Sequence, residues 1–318
     1  MLSHKTLKDK ATRTFFGLIR MKLPLFNSPR QAFCTCLPKY NINTYLGRCA
    51  HQCVYCYAVK FPSFVGPTLP RLRLLDQIEG MAKNTRLKLP VMLSDCTDPY
   101  QSMEREHKVT RRCAEVLAKH AFPLLIVTKS DLVTRDIDIF KQTQTVVAVT
   151  ITTPREDIAS LIEPHAPPPE RRLSALQKIF ESGIVAVARI DPILPTVNDD
   201  EKDLERLVSA LASVGVKQVT TATMKPVRGF FTSIKQTSLH AFEKLSKEYA
   251  DGTWVVGYKY LHRERRRKIL ETMRSIVLKH GLDFASCREG FTQYNTVLCD
   301  GTAYCRDLLS SYFHEEKI

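Results

Sequence analysis

The chain lacks any apolar stretch approaching the length of a membrane span, and it lacks an apolar segment that would direct secretion. The first absence excludes a transmembrane helix. The second makes a cytoplasmic or other reducing intracellular compartment the expectation, with no membrane partner. No internal repeat or low-complexity segment stands out. Acids are nearly missing from the first 33 positions, where Lys5, Lys8, Lys10, Arg13, Arg20, Lys22 and Arg30 face a single acid, Asp9. Lysines outnumber arginines there and no amphipathic period emerges. These features argue against an organelle-targeting peptide and for a solvated or phosphate-contacting arm.

What is present sets wider bounds. A length of 318 residues suits one barrel-sized domain with additions. The formal net charge of +14 and a pI near 9.3 favour polyanionic partners. Ten cysteines in a reducing compartment point to metal or redox chemistry in place of disulfides.

The segment Asn43-Thr44-Tyr45-Leu46-Gly47-Arg48-Cys49-Ala50-His51-Gln52-Cys53-Val54-Tyr55-Cys56-Tyr57 organises the rest. Its cysteines stand at C-x3-C-x2-C, so the loop must fold back and aim three soft thiolates at one point. A structural zinc wants four protein ligands. A [4Fe-4S] cluster normally takes four cysteines, so a cluster held here keeps one iron open. His51 offers a Cys3His zinc alternative, though its i, i+2 spacing to Cys53 is awkward in so tight a loop. Cys34-Thr35-Cys36 is too short a spacing for a normal metal pair, and these two are read as ordinary thiols.

Beyond this segment, short β-branched apolar runs alternate with longer amphipathic stretches, the rhythm of βα units on a parallel sheet. Strands are predicted at 40–45, 90–94, 124–127, 146–151, 184–190 and 216–222. Helices are predicted at 71–88, 104–119, 132–141, 170–181 and 199–214, the first burying Leu72, Leu75, Ile78 and Met81. The prolines of Glu163-Pro164-His165-Ala166-Pro167-Pro168-Pro169-Glu170 exclude helix until the last one, which suits a first turn. The expected class is α/β: a partial (β/α)6 TIM-type barrel over 37–225, with a basic N-terminal extension (1–36) and a helical or irregular C-terminal extension (226–318) packing on the core. Ligands should gather where the strands exit. Helices are also predicted at 239–249 and 263–279, the second opening on the basic run His262 to Lys268, read as a solvated face or a phosphate contact.

The C-x3-C-x2-C motif with its trailing Tyr57 closely resembles the radical S-adenosylmethionine (SAM) enzymes. Thr97-Asp98-Pro99-Tyr100-Gln101, Thr128-Lys129-Ser130-Asp131-Leu132, Glu163-Pro164 and Arg189-Ile190-Asp191-Pro192-Ile193 extend the resemblance, over about 41–225, to the branch of spore photoproduct lyase and DNA repair photolyase-like proteins. The resemblance implies a [4Fe-4S] cluster on Cys49, Cys53 and Cys56 and reductive cleavage of SAM to a 5'-deoxyadenosyl radical. It also implies that Tyr57 packs near the adenine, Thr97 offers a hydroxyl to SAM and Lys129 pairs with the SAM carboxylate. Thr150 or Thr152 would bond the ribose, and Arg189 or Asp191 would hold substrate or adenosyl. Cys96 stands where the lyase subgroup carries a hydrogen-atom donor, although a small buried hydrophobe is the plain reading. Cys287, Cys299 and Cys305 could supply a second metal centre, or be free.

The function implied is a DNA repair lyase-like radical SAM enzyme acting on nucleic acid, supplied with electrons by a donor such as a flavodoxin or ferredoxin. Two alternatives stay open. One is radical chemistry on a peptide, protein or small metabolite. The other is a non-catalytic iron-sulfur or zinc protein that binds nucleic acid.

Overall fold

The computed structural model describes residues 21–26 and 32–304. Most of the basic arm, including Lys5, Lys8, Lys10, Arg13, Arg20 and Arg30, lies outside the described residues, as does Cys305. The strands in chain order are β1 (Tyr40–Ile42), β2 (Tyr45–Leu46), β3 (Leu69–Pro70), β4 (Val91–Leu93), β5 (Leu124–Thr128) and β6 (Thr145–Thr150). They continue with β7 (Val185–Ile193), β8 (Gln218–Thr223), β9 (Thr253–Val255), β10 (Tyr258–Tyr260) and β11 (Asp283–Ser286).

Seven of them form one sheet in the order β1-β4-β5-β6-β7-β8-β11, and every neighbouring pair is parallel. The sheet curls without closing, since its outermost strands β1 and β11 do not pair with each other. This is the open, partial-barrel α/β fold anticipated from the sequence. The first six strands fall where apolar runs place them. The seventh, β11, comes from beyond residue 225 and pairs Asp283 with Gln218 and Ser286 with Thr221.

Strand alternation sorts the side chains into two sets. Val91, Leu93, Leu124, Ile126, Val147, Val149, Ala186 and Ala188 face outward into the main core under the helices. Met92, Leu125, Val146, Ala148 and Val187 face inward and form a smaller cluster, with Phe26 and Tyr304 packed on it. The same alternation carries the inward row on to Lys129 after β5, Thr150 at the end of β6, and Arg189 and Asp191 on β7.

Several helices differ from the periodic reading. Leu72–Asn84 stops short of Lys88 and buries Leu74, Ile78, Met81 and Ala82, leaving Leu72 exposed. The stretch 104–119 is two helices, Glu104–His107 and Val109–Lys119, broken at Lys108 (φ +50°). The break lets the buried Glu104 carboxylate accept from Thr110 N at 3.0 Å and Arg111 N at 3.1 Å, capping the second helix. Residues 131–136 are a 3-10 turn ahead of a short helix, Ile137–Phe140. Pro169 does open its helix, Pro169–Glu181. Local pattern gave no warning of Glu156–Ile162, Phe230–Thr237 or the β9–β10 hairpin.

The basic run opens the helix Arg263–Lys279 as expected, but its arginines turn to acids of this chain. Arg265 meets Asp199 at 2.9 Å and Glu248 at 2.8 Å. Arg267 meets Glu264 and Glu271, each at 2.8 Å. Arg266 is buried against Glu289 and faces the rings of Phe33, Tyr260 and Phe291. Arg266 is therefore spent inside the fold, while Arg265 and Arg267, each about a third exposed, are matched by acids of this chain at its surface.

Candidate active site

The loop from Gly47 to Cys56 follows β2 and folds tightly. Gly47 sits at φ +71°, and a Cβ there would stand 1.8 Å from the Pro67 carbonyl oxygen, so only glycine fits. Gln52 N donates to Cys49 O at 3.1 Å and Cys56 N to Cys53 O at 3.2 Å, winding the loop around its own cysteines. Outer ties hold it: Ala50 N to the buried Gln101 Oε1 at 2.8 Å, Val54 N to Ile162 O at 3.0 Å, and His165 N to His51 O at 3.3 Å. The fold-back brings Cys49, Cys53 and Cys56 within electrostatic reach of one another, none in a disulfide. Burial, reinforced by Asp98, pushes the Cys49 thiol up to about 12, and burial raises Cys53 as well. A metal must displace those protons to bind.

Asp98 is the hub beneath the loop. Its Oδ1 accepts from Tyr100 N at 2.8 Å and Thr128 Oγ1 at 2.6 Å, and its Oδ2 from Lys129 N at 2.7 Å. His51 Nε2 lies 3.2 Å from Oδ2, and Nδ1 is 3.2 Å from the His165 carbonyl. His51 is thus set between the Asp98 carboxylate and the His165 carbonyl, beneath the loop. Burial works against ionisation of Asp98, but His51 and the hydrogen bonds outweigh it and hold the carboxyl at about 2.

On the other flank, buried Arg172 pairs with buried Glu163 at 2.5 Å, and Tyr55 Oη donates to the same carboxylate. Lys129 is half-buried beside this pair, with its ammonium 5.5 Å from the Tyr55 ring centre. Burial disfavours its charge, yet Cys53 and Glu163 overcome that cost and keep it cationic.

A cavity of about 310 Å³ opens inside the sheet next to the loop. Tyr57, Lys129, Thr150, Arg189 and Asp191, all anticipated, line it together with apolar Met92, Leu125, Val127, Ala148 and Val187. Arg189 Nη2 pairs with Asp191 Oδ2 at 2.5 Å. Cys49, Cys53 and Cys56 are not among its lining residues, and three other anticipated residues do not line it either. Thr97 is buried and donates its hydroxyl to Tyr45 O at 3.2 Å, and the Thr152 hydroxyl is buried without a hydrogen-bond partner among the described residues. Cys96 sits just behind the wall, its thiol beside Asp95 and the Tyr57 hydroxyl. Burial, with Asp95, raises the Cys96 thiol and keeps its proton on.

Sequence reasoning assigned no role to Asp98, Glu163, Arg172 or Gln101. Asp98, Gln101 and Glu163 stood inside segments quoted for their resemblance, but their work is to brace the loop from distant positions. Arg172 looked like any helical arginine.

A family model for the radical SAM superfamily matches residues 44–208, more than half the chain. An uncharacterized protein of Methanocaldococcus jannaschii is 36% identical over 167 residues, covering 51% of this chain and 63% of its own length, so the chain spans less than two thirds of that relative. A protein of Acidianus two-tailed virus is 33% identical over 219 residues, covering 63% of this chain and 72% of its own. Among solved structures, a spore photoproduct lyase variant superposes with a TM-score of 0.64 at 17% identity over 78% of this chain and 75% of that one. A spore photoproduct lyase variant with bound AdoMet and dinucleoside spore photoproduct gives 0.59 at 18%, with the same coverage. Streptococcus suis SuiB bound to S-adenosylmethionine gives 0.51 at 11%, covering 76% and 48%. These likenesses carry the fold, and the match over 44–208 carries the family: this chain belongs to the radical SAM superfamily.

Proposed function

We propose that this protein is a lyase-like radical SAM enzyme acting on a nucleic-acid lesion. The observation that carries the reading is a loop of three closely spaced thiols set beside a cavity whose walls hold the half-buried cation Lys129 and a guanidinium-carboxylate pair. The donor set fits a [4Fe-4S] cluster with one open iron, because the C-x3-C-x2-C motif offers three thiols and no fourth cysteine. Such a cluster, when bound on Cys49, Cys53 and Cys56, supplies the electron that cleaves SAM to a 5'-deoxyadenosyl radical.

The chain's residues do the rest by position. Lys129 is a half-buried point charge suited to the SAM carboxylate. Tyr57 offers its ring to an adenine, with its hydroxyl fixed on Asp95 O. Thr150 offers a hydroxyl to a ribose, and Arg189 and Asp191 frame the substrate side. Thr97 and Thr152 support the wall from behind. The apolar Met92, Leu125, Ala148 and Val187 exclude water, which protects a radical from quenching. Cys96, kept protonated, is the hydrogen-atom donor to the product radical.

The net charge of +14 and the fold shared with a lyase that has been solved with a dinucleoside spore photoproduct support nucleic acid as the substrate class. A ferredoxin or flavodoxin is the class of electron donor that suits the cluster. Anaerobic, reconstituted protein with a reductant and SAM should form 5'-deoxyadenosine, and Cys53→Ala should abolish it. An oligonucleotide carrying a thymine photoproduct should then be restored. Formation of 5'-deoxyadenosine with the oligonucleotide left untouched would transfer the substrate to the peptide or metabolite class.

A further inference from the structure

Outside the loop, a second group of thiols gathers from both ends of the chain. Cys34 and Cys36 precede β1, Cys287 follows β11, and Cys299 lies in the segment that folds back over the sheet. All four line the same wall of the cavity, together with Lys39, Arg189 and Asp300. Their thiols interact in sequence, Cys34 with Cys36, Cys36 with Cys299, and Cys299 with Cys287, and none is in a disulfide. The framework around them is firm. Lys39 Nζ pairs with Asp300 Oδ2 at 2.8 Å, Thr220 Oγ1 donates to Cys299 O at 2.9 Å, and Cys287 N donates to Thr221 O at 2.9 Å. Chance alone rarely brings four thiols from residues 34 to 299 onto one wall, since each cysteine is a small fraction of the chain.

The spacing selects the occupant. Residues 34–36 run without helix or turn, and Thr35 is exposed between two half-buried cysteines, so the pair shares one side. Two thiolates on one tetrahedral zinc stand only about 3.8 Å apart, as the edge of a tetrahedron with bonds of about 2.3 Å. Corners of an iron-sulfur cubane are wider, one iron to each thiolate. Among the described residues no three donors are drawn close enough for a single ion, and this holds equally for Cys49, Cys53 and Cys56. The second group thus has the same open geometry as the loop that defines the family. It differs in offering four thiols, which leaves no iron open.

We propose that Cys34, Cys36, Cys287 and Cys299 ligate a second, fully cysteine-coordinated [4Fe-4S] cluster, which also clasps the two ends of the chain across the barrel. Cys305, grouped with Cys287 and Cys299 from sequence alone, is replaced in this set by Cys34 and Cys36. The site does not depend on what the enzyme acts upon.

The test separates the two sites by iron, sulfide and spectrum instead of turnover. Anaerobically reconstituted full-length protein should hold about eight irons and eight acid-labile sulfides per chain. The Cys49→Ala, Cys53→Ala, Cys56→Ala variant should keep about four of each, with an electron paramagnetic resonance signal that SAM does not perturb. The Cys36→Ser, Cys299→Ser variant should keep about four irons and the SAM-sensitive signal, and Cys305→Ser should keep all of them. Circular dichroism melting checks that each variant is folded; if the double variant is not, Cys34→Ser alone serves. An iron-free triple variant that melts cooperatively, or one that holds zinc in place of iron, would overturn the proposal.

Discussion

The Lys129 backbone N–H donates to Asp98 Oδ2 at 2.7 Å, tying the exit of β5 to the loop that leaves β4. The same carboxylate holds Tyr100 N, Thr128 Oγ1 and His51, while Asp98 N reaches Cys49 Sγ at 3.5 Å. One side chain thus joins two strand ends to the cysteine loop. Asp98→Asn loses the charge and half the accepting capacity, leaving buried donors unmatched. It should destabilise the cluster-free protein by about 2–4 kcal/mol, read by urea unfolding, and lower the iron retained after reconstitution. Full iron retention would remove Asp98 as the brace.

The pH dependence of that effect follows from the lowered carboxyl. Asp98 has a folded pKa of about 2 against an ordinary value of 3.8, so it binds a proton less readily when folded. Its contribution is present above about pH 4 and is lost as pH falls toward 2, amounting to about 2.5 kcal/mol. The stability difference between cluster-free wild type and Asp98→Asn should therefore shrink steadily as pH drops from 5 toward 2. A constant difference would place the effect in packing.

Arg172 and Glu163 form the second brace, with side chains 1% and 0% exposed. Removing one partner strands a buried charge. Arg172→Ala should cost about 3–5 kcal/mol, while Arg172→Met with Glu163→Leu should cost markedly less, because no lone charge remains. Thermal melting of the two variants side by side decides it.

These braces mark how far the sequence could be read. Strands β4 to β8 were legible because runs such as Leu124 to Val127 are apolar on both faces, and the triad because its spacing is local. Lys129, Thr150, Arg189 and Asp191 were named through the family resemblance, and strand alternation in the fold sets them on one inward row. Interactions across large separations were not legible: Glu163 to Tyr55, and Cys36 to Cys299. The arginines of the basic run misled for the same reason. Nothing near Arg265 in sequence announces Asp199, which lies 66 positions away.

That internal pairing changes where nucleic-acid affinity should come from. Arg265→Ala and Arg267→Ala should lower stability but leave the slope of log binding constant against log salt unchanged. A residue that contacts phosphate would reduce that slope by about 0.9 when removed. Filter or fluorescence binding across a salt series gives the slope, and a drop of that size for either variant would return the run to a nucleic-acid interface.

Lys129 tests the SAM side of the cavity. It is half-buried, cationic and 5.5 Å from the Tyr55 ring centre, beside Cys53. A charge-assisted hydrogen bond from it to a carboxylate is worth about 1.5–3 kcal/mol, or roughly a 10- to 150-fold change in affinity. Lys129→Met should weaken SAM binding by that factor in equilibrium titration while leaving the iron content alone. Lys129→Arg should rescue poorly, since a planar fork does not replace a compact ammonium. Unchanged SAM affinity in Lys129→Met would remove the lysine from the cofactor site.

Cys96 tests the last step of the proposed reaction. Its thiol lies beside the Tyr57 hydroxyl and Asp95, and burial keeps it protonated, the form that can yield a hydrogen atom. It is absent from the cavity lining, so the hydrogen must pass through the wall that Tyr57 forms, or Tyr57 must shift when substrate enters. Cys96→Ala should leave 5'-deoxyadenosine formation and iron content intact while redirecting the product radical into by-products. Tyr57→Phe removes the hydroxyl beside the thiol and keeps the ring, so it should alter the by-product ratio without abolishing SAM cleavage. Deuterium delivered from a solvent-exchanged thiol should appear in the wild-type product and vanish in Cys96→Ala. An unchanged product profile in Cys96→Ala would show that the hydrogen comes from elsewhere and that Cys96 is a packing residue.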